Sequence, residues 1–178
     1  MREISLHLLD IAENSASAGA QNVNLQVLED LRADRLWACV EDDGRGMSVE
    51  AARQALDPFY TSRSSRKVGL GLPLLKAAAE ASNGGLTLTS ALGQGTRLEV
   101  WFQHSHLDRM PLGDLGCTFL TLLVAHPQIH WQFSHRLIPP EGEDRHFSFD
   151  DRELKNELGE IPLTEPEVLT YLRGLFQL

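Results

Sequence analysis

Asp42-Asp43-Gly44-Arg45-Gly46 is the stretch on which the reading of this chain turns, together with Asp10-Ile11-Ala12-Glu13-Asn14 before it and Gly69-Leu70-Gly71-Leu72 and Gly93-Gln94-Gly95-Thr96 after it. The Asp-x-Gly-x-Gly segment follows directly on Leu36, Ala38 and Val40, which alternate with polar neighbours and so read as a strand ending at the segment. Asn14 lies four residues after Asp10, which on a helix puts both side chains on one face about one turn apart. Glu13 is adjacent in sequence but points about 100° away on an ideal helix. Gly69-Leu70-Gly71 opens a helical pattern, where unpaired amides and the positive end of the dipole favour phosphate.

The surrounding chain supplies the elements that hold these segments. Leu6, Leu9, Ala12 and Ala16 recur at helical spacing and predict a first helix over 4–18, closed by Gly19. Val23, Leu25 and Val27 alternate like Leu36, Ala38 and Val40, and the polar turn 29–34 joins the two runs as a hairpin. Ser48 can cap a short helix to about Leu56, and the stretch 57–67, rich in Ser and Arg, reads as a mobile loop. A second helix, 70–82, tolerates Pro73 in its first turn and ends at Asn83-Gly84-Gly85. Two further strands, carrying Leu86 and Leu88 and then Leu98, Val100 and Phe102, flank the glycine turn 93–95. Beyond Gln103 the pattern predicts a helix (112–125), a strand (128–137), a Pro-Pro turn, a strand (145–149) and two helices. Asp150 with Glu153, and Thr164 with Glu167, match capping boxes, while the run 141–160 reads as a solvated acidic face.

These 178 residues, 42% hydrophobic, suffice for one domain with a continuous core and an appendage. Sixteen Lys+Arg against 25 Asp+Glu give a formal charge of -9, which opposes phosphate neutralisation and argues against nucleic acid as a partner. Cys39 and Cys117 have no CxxC spacing, so neither a disulfide framework nor a cysteine zinc site is indicated, and a reducing cytoplasm suits them. The start lacks the apolar core of a signal peptide, and the longest apolar stretch, 115–125, is too short to span a bilayer, so no membrane is expected.

The four segments, in this order, resemble the boxes of the Bergerat ATP-binding fold shared by gyrase, the ninety-kilodalton heat-shock chaperone, the mismatch-repair ATPase and the histidine kinases. Residues 4–102 carry the resemblance, and Asp57-Pro58-Phe59-Tyr60-Thr61 resembles the phenylalanine-containing box of histidine kinases. The implied architecture is α+β, a two-layer α/β sandwich with a mixed sheet over 1–102, with residues 103–178 as a C-terminal α/β extension packed on it.

The resemblance implies ATP and Mg²⁺ as ligands. Asn14 would coordinate the metal through its side-chain oxygen, and Asp10 would activate water, although Asp is a methylene shorter than the Glu usual in hydrolytic branches. Asp42 would accept from the adenine amine, with Gly44 and Gly46 letting the backbone approach the base and Met47 under the ring. Gly69, Leu70, Gly71 and Leu72 would meet the phosphates, and Thr96 would close the site. Lys67 stands where histidine kinases often have a further glycine; with Arg63 and Arg66 it could reach the terminal phosphates. A dinucleotide-binding motif is excluded because position 74 is Leu and the segment follows a polar loop, and no P-loop is present.

No carboxylate or cysteine stands at ligand spacing from His104, His106, His130 or His135, so these read as ordinary surface or half-buried histidines. The chain begins almost at the first box, leaving no room for a preceding dimerisation helix pair with a phosphoacceptor histidine, so a complete sensor kinase is not expected. The expected function is an Mg-ATP-binding protein that regulates an unidentified protein partner, recognised through 103–178, by nucleotide occupancy and slow hydrolysis. A resemblance to bacterial ATP-binding proteins encoded beside iron-hydrogenase genes implies a redox or maturation protein as that partner. The alternatives are a kinase acting in trans on Ser, Thr or His, like the anti-sigma-factor kinases of the same fold, and a non-catalytic ATP-binding module; a homodimer stays open.

Overall fold

The alternating runs form strands because one face of each can be buried while the other meets solvent. The computed structural model describes residues 3–58 and 71–177. Over these residues the elements are α1 (Ile4–Ser17), β1 (Asn22–Asp30), β2 (Arg35–Asp42), α2 (Val49–Ala55), α3 (Gly71–Ala81), β3 (Gly85–Ala91), β4 (Gly95–Gln103), α4 (Leu115–Ala125), β5 (His130–Ile138), β6 (Arg145–Asp150), α5 (Asp151–Leu158) and α6 (Pro166–Leu175). The strands make one mixed sheet in the order β3-β4-β2-β1-β5-β6, antiparallel throughout except where β5 runs parallel to β1. This is the α+β layered architecture expected.

One register row crosses all of it: Leu88, Leu98, Val40, Leu25, Phe133 and Phe149 stand opposite one another in turn. α1 and α3 pack beside one another over this apolar face, and Phe119 of α4 stacks on Phe133 with ring centroids 4.3 Å apart. Complete burial of side chains such as Leu25, Phe119 and Phe133 contributes about 1.5–3 kcal/mol each. The adjacent row, Thr89, Arg97, Glu41, Asn24, Gln132 and Asp150, is polar because its side chains point to the opposite face. The segment after residue 103 thus adds β5 and β6 to the same sheet and extends the same core.

Several expectations need correction. The buried residues of α1 are Ile4, Ser5, His7, Leu8, Ile11, Ala12 and Ser15, and Leu6 is 41% exposed, because the helix is packed by both α4 and α3 and turns a different edge outward. α4 begins three residues later than expected, where Asp114 accepts from the Cys117 amide at 2.7 Å. Asp150 does cap α5, but through the Arg152 amide, and the pairing of Thr164 with Glu167 forms no cap: α6 starts after Glu165 with Pro166 in its first turn, where no amide is needed. The acidic run is not wholly solvated either, since Asp151 is fully buried and paired with Lys155. Among the described residues no helix is long and apolar enough to cross a membrane.

Candidate functional site

Asp42 is the last residue of β2 and pairs with Thr96 on β4 and Val23 on β1, so its backbone is fixed on both sides. Its half-buried carboxylate is aimed by two donors: Oδ1 accepts from the Gly44 amide at 2.9 Å, and Oδ2 accepts from the Ser15 hydroxyl at 2.6 Å. The short second bond crosses from α1 to the end of the sheet and is charge-assisted. Each oxygen keeps acceptor capacity beyond these bonds.

The loop after Asp42 is bonded both to the β3–β4 hairpin and to the end of α1. Gly93 donates to the Arg45 carbonyl at 2.8 Å, Arg45 donates to the Ala18 carbonyl at 3.0 Å, and the Met47 amide donates to Ser90 Oγ at 2.8 Å. Ser90 spends its own proton on the Gly95 carbonyl at 2.8 Å, so the Thr96 hydroxyl, 2.9 Å away, donates to it. A Cβ on Gly46 would lie 1.9 Å from the Ala91 carbonyl oxygen, and one on Gly95 would lie 1.9 Å from that of Asp42. Both residues also have positive φ, 65° and 81°. Asp43 points the other way and accepts from the Gln21 and Asn22 amides and from Asn22 Nδ2. Partial burial works against its charge, but these donors outweigh it and hold the carboxyl below its ordinary range.

The family model described as histidine kinase-, DNA gyrase B- and HSP90-like ATPase matches residues 1–106. The chain belongs to this family. Residues 1–106 of this family member are therefore an ATP-binding module of the histidine-kinase-like type. It is similar to the cell-division control histidine kinase PdhS of Brucella canis, 34% identical over 115 residues, covering 57% of this chain and 11% of that protein. It is also similar to the putative sensor histidine kinase NtrY-like of Rickettsia conorii, 27% identical over 108 residues, covering 61% of this chain and 18% of that one. The chain thus spans under a fifth of the length of these curated relatives. A solved structure of the N-terminal domain of a DNA repair protein superposes with a TM-score of 0.52 at 12% identity, over 84% of this chain and 53% of that one, a likeness of fold.

Within this ATPase frame, the predicted residues fall as follows. Asp10 is half-buried and Asn14 exposed on the outward flank of α1, immediately before the Ser15 that braces Asp42. His7 lies one turn before Ile11 and is buried, and burial pushes its imidazole below the ordinary range, with Asp10 opposing that shift. Gly71 and Leu72 open α3, which packs beside α1, and Leu72 rests against the core. Gly44, Gly46, Met47 and Thr96 belong to the bonded loop and hairpin. Lys67, Gly69, Leu70, Arg63, Arg66 and Phe59-Tyr60-Thr61 lie outside the described residues. Two members of the network are not among the residues predicted from sequence: Ser15 and Ser90. The signal for Ser15 was a polar residue in the apolar stripe of α1, which must spend its hydroxyl inside; Ser90 sits on an exposed hairpin and carries no such mark.

Proposed function

We propose that this chain binds Mg-ATP at the Asp42 loop and uses nucleotide occupancy, with slow hydrolysis, to regulate a protein partner. The observation that supports this best is the aimed carboxylate of Asp42, whose oxygens are oriented by Gly44 and Ser15 yet keep acceptor capacity. A carboxylate accepts from the exocyclic amine that adenine has and guanine lacks at the equivalent edge, so the donor set fits an adenine base. Asn14 follows on the same helix, adjacent to Ser15, and with Asp10 one turn earlier it supplies oxygen donors suited to a hard cation. Bound magnesium would supply charge neutralisation across the phosphates. In this reading Asp10 holds or takes a proton from water, Thr96 and Met47 line the base, Gly71 and Leu72 face the phosphates from the start of α3, and residues 103–178 meet the partner.

Incubation of the purified chain with ATP labelled in the γ-phosphate tests this directly. Free labelled phosphate at a slow rate supports the proposal; bound ATP with no release reduces it to an occupancy switch. A second reading, phosphoryl transfer to a protein, is favoured by the names of the relatives, both histidine kinases. Acid-labile or acid-stable label on an added protein would establish it and displace hydrolysis as the principal outcome.

A further inference from the structure

His130 opens β5, and 20 residues later Asp150 ends β6 and Asp151 starts α5. Strand pairing folds them into one corner, so companions invisible at sequence spacing arrive in space. His130 Nε2 lies 2.8 Å from Asp150 Oδ1 and 3.9 Å from Asp151 Oδ1, and one ligand atom from each residue falls within 4.8 Å of the others.

The orientation of the ring follows from its other nitrogen. Asn22 donates through Nδ2 to Asp43 at 2.6 Å, so its Oδ1 is the atom that faces His130 Nδ1 at 2.9 Å, and Oδ1 can only accept. Nδ1 therefore carries a proton, and Nε2, which hydrogen-bonds Asp150 Oδ1 at 2.8 Å, is the ring atom a metal ion would take by displacing the proton of that bond. Asp151 has no exposed surface, and its Oδ1 accepts no hydrogen bond among the described residues. Its partner Lys155 is bound at Oδ2 and at the Ile129 carbonyl, and so neutralises the far side of the carboxylate. Asp150 has the Arg152 amide on Oδ1 and Gln132 Nε2 on Oδ2, which anchor it without filling the gap. One imidazole nitrogen and two carboxylate oxygens thus converge where a metal ion can replace the proton shared by His130 and Asp150.

We propose that His130 Nε2, Asp150 Oδ1 and Asp151 Oδ1 form a binding site for a divalent transition-metal ion of the zinc class. An imidazole nitrogen with two carboxylate oxygens is a borderline donor set that suits zinc and its neighbours. Tetrahedral bonds of about 2.0–2.2 Å hold neighbouring ligand atoms about 3.3–3.6 Å apart, and the observed 2.8 and 3.9 Å bracket that spacing. The Nδ1–H bond to Asn22 is the outer-shell contact that fixes a ligating histidine. Asp150 is 41% exposed, which leaves a fourth position open to water. The ion would tie the start of β5 to the β6–α5 corner, and through Asn22 and Asp43 it would abut the nucleotide loop.

The test is titration of the chelator-stripped full chain with Zn²⁺ by calorimetry and with Co²⁺ by visible absorption, both without nucleotide, so that failure of ATP binding cannot mimic failure here. One equivalent should bind, with tetrahedral-type cobalt bands, and the ring nitrogens of His130 should shift in the NMR spectrum. His130→Gln and Asp150→Ser, the latter retaining a helix cap, should each weaken binding more than tenfold. Asn22→Ala should weaken it by about 10–100-fold, as loss of an outer-shell partner does. Absence of an equivalent in the wild-type chain, or binding indifferent to both His130→Gln and Asp150→Ser, overturns the proposal.

Discussion

Gly93 and Gly95 frame the same turn, and the structure assigns them different tasks that a matched pair of alanine substitutions separates. Both have positive φ, 74° and 81°, so alanine at either position carries the left-handed penalty of about 1–2 kcal/mol. A Cβ on Gly93 meets nothing within 4 Å, whereas one on Gly95 lies 1.9 Å from the Asp42 carbonyl oxygen and 2.9 Å from Asp43 Cα. Reaching even 3.0 Å, the nearest approach real Cβ atoms make, moves the end of β2 away from β4 by about 1 Å. A shift of that size takes hydrogen bonds out of the range of about 2.7–3.2 Å, and the Met47 amide bond to Ser90 and the pairing of Asp42 with Thr96 are the ones that span the gap. At about 1 kcal/mol per bond lost, Gly95→Ala should cost about 3–4 kcal/mol in total and Gly93→Ala only the backbone penalty.

For a chain of this length about 3 °C accompanies each kcal/mol, so the melting temperature should fall by about 3–6 °C for Gly93→Ala and about 9–12 °C for Gly95→Ala. Urea unfolding gives the free energies, and calorimetry below both transitions gives the nucleotide affinity. Gly95→Ala should lose at least about tenfold in ATP affinity, because the displaced backbone is that of Asp42, while Gly93→Ala should bind nearly as the wild type. Equal stability losses in the two variants, within about 0.5 kcal/mol, would refute the claim that contact with Asp42 is what demands glycine at position 95.

Asp42→Asn should abolish most ATP binding with the fold intact, and Asn14→Ala should weaken it chiefly when Mg²⁺ is present; calorimetry with and without the metal checks both. Asp10→Glu should raise phosphate release and Asp10→Asn should lower it, as a coupled phosphate assay would read, since Asp10 is the shorter acid on the flank of α1. Hydrogen bonds from His135 and His104, the first the larger, hold the Glu29 carboxyl below its ordinary 4.5 against the opposing effect of burial. Its stabilisation is therefore complete above that value and lost as pH falls through the lower folded one, and Glu29→Gln should flatten the acid limb of stability measured by urea unfolding at stepped pH. Burial pushes the Cys39 thiol up to about 11, and Cys117 is exposed, so a thiol reagent should label Cys117 in the folded chain and reach Cys39 only on unfolding.

What could be read from sequence is what neighbouring residues decide among themselves. The hairpins β1–β2 and β3–β4 follow from alternation and turn residues within a few positions, and Ser48 caps α2 through the Ala51 amide as its spacing suggests. The parallel pairing of β5 with β1 joins residues more than 100 apart, such as Leu25 and Phe133, and nothing local encodes which strand a run of Trp131 and Phe133 will adopt as neighbour. The same limit hid His130 with Asp150, and Ser15 with Asp42, since each pair is made by the fold and not by spacing.

The glycines of the nucleotide loop show how far a correct motif can precede its physical reason. From sequence, Gly44 and Gly46 are residues that let a base come close. In the structure, Gly46 lies against the Ala91 carbonyl and Gly95 against that of Asp42, so these missing side chains are occupied by the protein's own backbone. Gly44 instead donates its amide to Asp42 Oδ1, with Ala18 as its nearest neighbour on the other side. Two strand ends and a loop can interlock at this distance only where no Cβ intervenes, and their interlocking is what leaves the Asp42 carboxylate no freedom to turn away. A binding group held rigid before its ligand arrives loses less entropy on binding. On the proposed reading the glycines then serve recognition through Asp42, which would make the motif a device for orienting one carboxylate as much as a space for a base.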